Sequence, residues 1–188
     1  MAGAQEPISL DEAKANLRVD TFFDDDLIEG LIVAAREHVE DYTGLVLTPR
    51  MITETACSLG GSIDLSSWPV TAVSAVRYPV AGVMTPLAAG SWLFSTKARP
   101  VRLLPATRGW GVGAWSLSSE RSLPVEIDVQ AGYATPADVP RAVRQAMHLL
   151  VAHWYLNGSA AEVGARAAAV ELPFGVTALL RRWRMVRV

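Results

Sequence analysis

The stretch Pro140-Arg-Ala-Val-Arg-Gln-Ala-Met-His-Leu-Leu-Val-Ala-His-Trp-Tyr-Leu-Asn-Gly158 decides how the rest of the chain is read. Val143, Ala146, Met147, Leu150, Val151 and Trp154 recur at i, i+3, i+4, i+7 spacing, the signature of one apolar stripe on a helix. Pro140 suits the first turn, where its missing N–H costs nothing, and Asp138 just ahead of it suits the positive end of the helix. Asn157-Gly158 offers the left-handed residue that stops such a helix. Glu171-Leu-Pro-Phe-Gly175 then leads into a shorter helix with Val176, Leu179, Leu180 and Trp183 on its apolar side. That helix runs into Arg181-Arg-Trp-Arg-Met-Val-Arg-Val188, four arginines interleaved with Trp183, Met185 and two valines. Between the two helices, residues 159–169 are small and alanine-rich and read as a loop.

Working outward to the other end, Ser9 and Glu12 have capping-box spacing, and Leu10, Ala13 and Leu17 give a narrow helical stripe through Val19. Asp24-Asp-Asp26 precedes a longer helix with Ile28, Leu31, Ile32, Ala35, Val39 and Tyr42 on one side and Thr43-Gly44 at its end. Adjacent carboxylates at a helix start are read as caps interacting with the helix dipole rather than as metal ligands. From Arg50 the period changes from helical to two. Residues 51–57, 70–78, 91–94, 101–104 and 124–133 are strand-like, separated by glycine-containing turns at Gly60-Gly61, Ala81-Gly82 and Ala89-Gly90. Arg108 to Trp115 reads as a hairpin tip or extended loop. The fold class is therefore α+β: residues 1–49 and 135–188 form a helical body, and residues 50–134 form a small antiparallel β domain inserted into it.

At 188 residues, 51% hydrophobic and 19% charged, the chain can bury a substantial core. Its single cysteine, Cys57, excludes an internal disulfide framework and reads as a small buried hydrophobe of a reducing compartment. No apolar run is long enough to span a membrane, so a soluble, cytoplasmically made protein with no membrane partner is expected. Net charge is −2, but it is polarised. Residues 1–50 hold eleven acids against four bases, residues 51–140 hold six of each, and residues 141–188 hold two acids against seven bases. Unlike ends suit contacts between subunits, docking of the basic segment on an acidic partner, or packing of the two ends within one chain.

A search for chemistry returns little. His148 and His153 are five apart, not the i, i+4 spacing of a helical metal pair, and no His-Glu-x-x-His, Cys-x-x-Cys or Walker loop occurs. Gly109-Trp-Gly-Val-Gly113 lacks the lysine and strand–turn–helix setting of a phosphate loop. Glu126 and Asp128 share one strand face, which a solvated sheet surface explains. No catalytic residue, metal or cofactor is expected, and a small hydrolase using His148 or His153 is the weakest reading. The arginine-rich segment can be a core helix whose arginines reach water, a protein-docking segment, or a membrane-surface helix. It also has the residue types for phosphate contact, so a nucleic-acid-binding accessory protein stands as the alternative function.

The ordered combination of Ile8-Ser-Leu-Asp-Glu-Ala-Lys-Ala-Asn-Leu-Arg-Val-Asp20, Asp24-Asp-Asp-Leu-Ile28 and Ala34-Ala-Arg-Glu-His-Val-Glu-Asp-Tyr-Thr-Gly44 resembles the head-to-tail connector (adaptor) family of long-tailed phages. It also resembles the related adaptor of gene transfer agents. Val139-Pro-Arg-Ala-Val-Arg-Gln-Ala146, Leu150-Val-Ala-His-Trp-Tyr155 and Glu171-Leu-Pro-Phe-Gly-Val-Thr-Ala-Leu-Leu180 are similar to the longer branch of that family, while the middle matches only in its β-rich character. The resemblance implies a non-enzymatic virion protein at the head–tail interface, assembled in the host cytoplasm. It implies a ring, usually a dodecamer, beneath the portal protein, meeting a stopper or tail terminator protein on its other side. DNA would pass through the lumen without specific binding. Carried over, the helices from Ile28 to Tyr42 and from Pro140 to Tyr155 form the packed body. Leu172, Phe174, Arg181, Arg182, Trp183, Arg184 and Met185 fall in the portal-docking segment. The arginine content of that segment exceeds the family's usual pattern.

Overall fold

A computed structural model describes residues 5–57, 59, 61–80, 83–107, 110, 125–157 and 174–184. It contains α1 (Leu10–Leu17), α2 (Asp25–Thr43), β1 (Arg50–Ala56), β2 (Ile63–Leu65), β3 (Val70–Val80), β4 (Val83–Pro86), β5 (Trp92–Phe94), β6 (Val101–Pro105), β7 (Val125–Ala131), α3 (Arg141–Asn157) and α4 (Phe174–Leu180). The chain divides into two compact units. A helical unit takes in the residues up to Thr48 and from Tyr133 onward, and a β unit runs Pro49–Gly132. The architecture is α+β, a helical body with an antiparallel β insert. No described helix is long and apolar enough to cross a membrane.

The stripe read from residues 140–158 is the buried side of α3. Val143, Ala146, Met147, Leu150 and Val151 are all buried, and Trp154 at the stripe's edge is half-buried, edge-on to His38 at 6.0 Å. Opposing them are Ile28, Ile32, Ala35 and Val39 of α2, Ala13 of α1, and Val176 and Leu180 of α4. Each helix buries residues three and four apart because that spacing returns to one side every turn.

Several local details differ from expectation. Asp138, ahead of α3, also closes a 3-10 turn at Pro136–Asp138, accepting from the N–H of Thr135 at 3.0 Å and its hydroxyl at 2.8 Å. The extended Val139 separates that turn from α3. Helix α1 stops at Leu17, short of Val19, because Arg18 adopts a left-handed conformation (φ 59°) and its N–H reaches back to Ala15 O. Gly44 stops α2 in the same conformation (φ 70°), as its sequence position implies. Beyond it Leu45, Val46 and Leu47 are buried as the chain leaves the helix.

In the β unit the four-stranded sheet has order β1-β7-β3-β4 and the three-stranded sheet β2-β6-β5, every pair antiparallel. Strand β7 is central in the larger sheet, and its alternation is clean: Val125, Ile127, Val129 and Ala131 are buried. Strand β3 alternates less cleanly because its register against β7 shifts twice, between Val70 and Ala72 and between Val73 and Ala75. Each shift puts an extra residue on one strand and turns the residues beyond it. Strands β2 and β4, three and four residues long, were not legible in the sequence. Cys57 corrects its reading as a buried hydrophobe: it comes directly after β1 and is exposed. Of the glycine-rich stretch 108–115 only Trp110 lies within the described residues; it is buried and its indole N–H donates to Gly61 O at 3.0 Å. The loop 159–169 lies outside them.

Candidate protein-docking surfaces

Several polar side chains in the helical unit hold its segments together. Arg36 on α2 donates from Nε to both oxygens of Glu6, at 3.0 and 3.2 Å, and from Nη1 to Glu40 at 3.1 Å. The other oxygen of the buried Glu40 accepts from the backbone N–H of Leu47 at 2.6 Å. Burial alone would lower the pKa of Arg36, but Glu6, Glu40 and Glu37 outweigh it and raise the value. Arg144 on α3 donates to Pro7 O at 2.9 Å and to Glu12 at 2.6 Å. Its hydrogen bond, joined by the N–H of Ser9, holds the Glu12 carboxyl below the usual range. Glu12 thereby serves two ends at once, since its other oxygen completes the capping box with Ser9.

The aspartates at the start of α2 act as ties as well as favourable charges. Asp24 makes no side-chain cap and instead accepts from the Tyr155 hydroxyl at 2.7 Å, while Asp25 pairs with Lys14 at 2.6 Å. The hydrogen bond to Asp24 raises the Tyr155 pKa. A groove of about 210 Å³ lies between residues 5–10 and α2, lined by Ile8, Leu10, Ile32 and Val33 with Glu6, Ser9 and Glu29. Its Ser9 hydroxyl already accepts from Glu12 N–H and its Glu6 is held by Arg36, so neither stands ready for chemistry.

Glu126 and Asp128 do not form the plain solvated face expected of them. Both are half-buried around Arg77 of β3, which reaches Glu126 at 3.2 Å and Asp128 at 2.5 and 2.8 Å. Thr53 of β1 donates to Asp128 from the other side at 2.8 Å. The hydrogen bonds from Arg77, and then Thr53, keep the Asp128 carboxyl below its ordinary pKa. This is a cross-strand ladder over three strands.

Of the residues assigned to docking, Arg181, Arg182 and Trp183 form a 3-10 turn directly after α4. Arg181, Arg182 and Arg184 are exposed and Trp183 is half-buried. The guanidinium of Arg182 lies 5.1 Å from the Trp183 ring, and that of Arg184 lies 5.5 Å from the ring of Tyr42, at the C-terminal end of α2. Phe174 opens α4; Leu172 and Met185 lie outside the described residues.

A second surface was missed in the sequence. Phe22 and Phe23, in the turn between α1 and α2, are 84% and 95% exposed. Leu27 in the first turn of α2 and Leu156 at the end of α3 are 55% and 73% exposed. The Tyr155–Asp24 hydrogen bond brings those two ends together. The overlooked signal was an adjacent aromatic pair in a short turn with no apolar run to absorb it.

Residues 7–77 match the family model described as phage gp6-like head-tail connector protein, spanning both N-terminal helices and the strands through most of β3. No curated protein sequence matches the chain. Among solved structures it is similar to a chain in the neck of an empty GTA particle computed with C6 symmetry. That match has 30% identity and a TM-score of 0.70, over 97% of this chain and 91% of that one. A chain from the virion of a native gene transfer agent (GTA) particle matches at 32% identity and TM-score 0.66, over 97% and 91%. A chain from the neck of a native GTA particle computed with C12 symmetry matches at 31% and 0.65, over 93% and 89%. With residues 7–77 matched by the family model and nearly the whole length matched by neck and virion chains at 30% identity or more, the chain belongs to the phage gp6-like head-tail connector family.

Proposed function

We infer that the chain is a structural head–tail adaptor of a gene transfer agent or phage particle, located at the virion's head–tail interface and joining capsid to tail. The observation that carries this is the near full-length match, both units together, to neck chains at 30% identity or more. The adaptor works as a ring of copies, and twelvefold assembly accords with the C12 neck relative. Arg36, Glu40, Arg144 and Tyr155 are engaged in ties between segments, which supports a non-enzymatic role. The nucleic-acid-binding alternative gains no support from the family or the neck relatives. A chain of net charge −2 suits a DNA channel, because a lumen that held phosphates tightly would impede passage.

In this reading the segment holding Leu172, Phe174, Arg181, Arg182, Trp183, Arg184 and Met185 docks on the portal, with Trp183 as the anchor, and the opposite side of the ring meets the stopper or tail terminator. Half-burial of Trp183 beside exposed arginines supports it, since an aromatic flanked by guanidiniums is the usual make-up of an interface anchor. The test is Trp183→Ala. Its circular dichroism should match the parent chain while attachment to portal-bearing heads is lost. Normal attachment by the folded variant would remove the docking role from Trp183.

A further inference from the structure

The two exposed surfaces of the helical unit stand at opposite ends of α2. Phe22 and Phe23 lie just before its first residue, and Tyr42, which carries Arg184, lies in its last turn. Nineteen residues at 1.5 Å each separate those ends by about 28 Å. Within one chain the two surfaces are therefore too far apart to meet.

They are nonetheless complementary. At the first end two phenyl rings are exposed to solvent, with the exposed acids Asp20 two residues before Phe22 and Asp26 three residues after Phe23. The Phe22 ring is held by the Lys14 ammonium, 4.7 Å from its centre, and Lys14 is itself fixed by Asp25. At the other end stand the exposed guanidiniums of Arg181, Arg182 and Arg184, two of them already lying against aromatic rings. Guanidinium pairs with carboxylate by charge and hydrogen bonding, and with phenyl by stacking, so the cationic end is chemically matched to both components of the aromatic end. The acids flanking the rings in sequence also disfavour a phosphate-bearing or acidic occupant.

We propose that the Phe22–Phe23 knob, with Leu27 and Leu156 around it, docks on the Arg181–Arg184 turn of a second copy of this chain. Because the two surfaces differ, the contact is heterologous: each copy offers a knob to one neighbour and receives one from the other. Repetition with a fixed rotation closes a ring. The proposal rests on the ring-forming adaptor reading and not on portal docking. It revises the portal reading of Arg181, Arg182 and Arg184, giving these arginines to the neighbour within the ring, while Trp183 in the same turn remains the portal anchor.

A cysteine trap tests it in assembled particles. The full chain carries Phe23→Cys and Arg182→Cys in a Cys57→Ser background, and particles are oxidised mildly and run without reductant. Each single-cysteine variant serves as control. The expected result is a ladder of multiples of the 20.2 kDa chain, absent from both controls. Monomer alone, or an adduct with a different protein, would overturn the proposal. Charge exchange provides a second readout. Asp20→Arg with Asp26→Arg, and separately Arg181→Glu with Arg182→Glu, should each reduce the yield of tail-joined particles, and all four changes together should restore it. Failure to restore contradicts pairing between copies. Normal attachment by Trp183→Ala would remove the portal anchor while leaving the ladder result unaffected, so the two readings fail separately.

Discussion

The helical and β units fix their internal register by different means. In the helical unit, segments from the two ends of the sequence meet through side chains: Arg144 reaches Glu12 across 132 positions, and Tyr155 reaches Asp24 across 131. In the β unit, β1 and β7 are also distant in sequence, but seven consecutive backbone pairs set their alignment. The reason is elementary. A helix satisfies its own backbone, so only side chains can tell one helix where to sit against another. A strand cannot, so its neighbour's backbone does that work and the side-chain pairs above the sheet add comparatively little. Polar substitutions should therefore be more damaging in the helical unit than on the sheet face.

The largest effect expected is not polar. Met147→Ala empties the centre of the α3 stripe and should destabilise the helical unit by about 2–5 kcal/mol, read from denaturant unfolding. Next comes Glu40→Ala, which strands the Leu47 N–H and removes one partner of Arg36; a loss of roughly 1–3 kcal/mol is expected. Ser9→Ala, deleting one half of the capping box, should cost about 1 kcal/mol. Arg77→Ala, which removes two carboxylate contacts from the sheet face, should cost less than about 1 kcal/mol because these groups remain part-exposed. If Arg77→Ala proved more damaging than Glu40→Ala, the contrast between the units would be reversed.

Acidification offers the mildest probe of the same contrast. Burial lowers the His148 pKa from 6.5; Glu12 opposes that shift and Arg144 adds to it. The folded state thus favours the neutral imidazole, unfolding takes up a proton, and stability falls as pH drops below 6.5 toward the lowered folded value. Glu12 and Asp128 have depressed pKa values, so their contributions are present above the ordinary values of 4.5 and 3.8 and are lost as pH falls below them. Hydrogen exchange corrected for intrinsic rates should show α3 amides losing protection between pH 7 and 5 while β7 amides hold. His148→Gln should flatten that early loss. Equal loss in both units, unchanged by the substitution, would show that His148 does not set the difference.

The same physics decides how much of the molecule was legible in the sequence. Helices α2 and α3 are long enough for a 3.6-residue period to repeat several times, so Ile28 to Val39 and Val143 to Val151 announced their buried sides. Strand β7 was equally plain because it is central and unshifted, whereas β3 blurred its own pattern at two register shifts. Strands β2 and β4 are too short for any period to show, and they lack the aromatic residues, Trp92 and Phe94, that mark the equally short β5. The ties were invisible because Arg144 and Glu12 carry no mutual signal in a linear reading. Asp24 was placed at the right helix end, but its hydrogen bond to Tyr155 depends on tertiary packing. Phe22 and Phe23 give only a weak signal in the sequence because apolar residues are expected to be buried, and only the fold reveals an aromatic pair left in water.

The central claim, that this chain joins head to tail as a ring of copies, is tested most directly by electron cryo-microscopy of particles made with and without it. Particles containing the chain should show a neck ring into which repeated copies of its helical and β units fit, and particles lacking it should be heads without tails. Tails joined normally in its absence, or a neck ring whose density cannot hold these two units, would contradict the account.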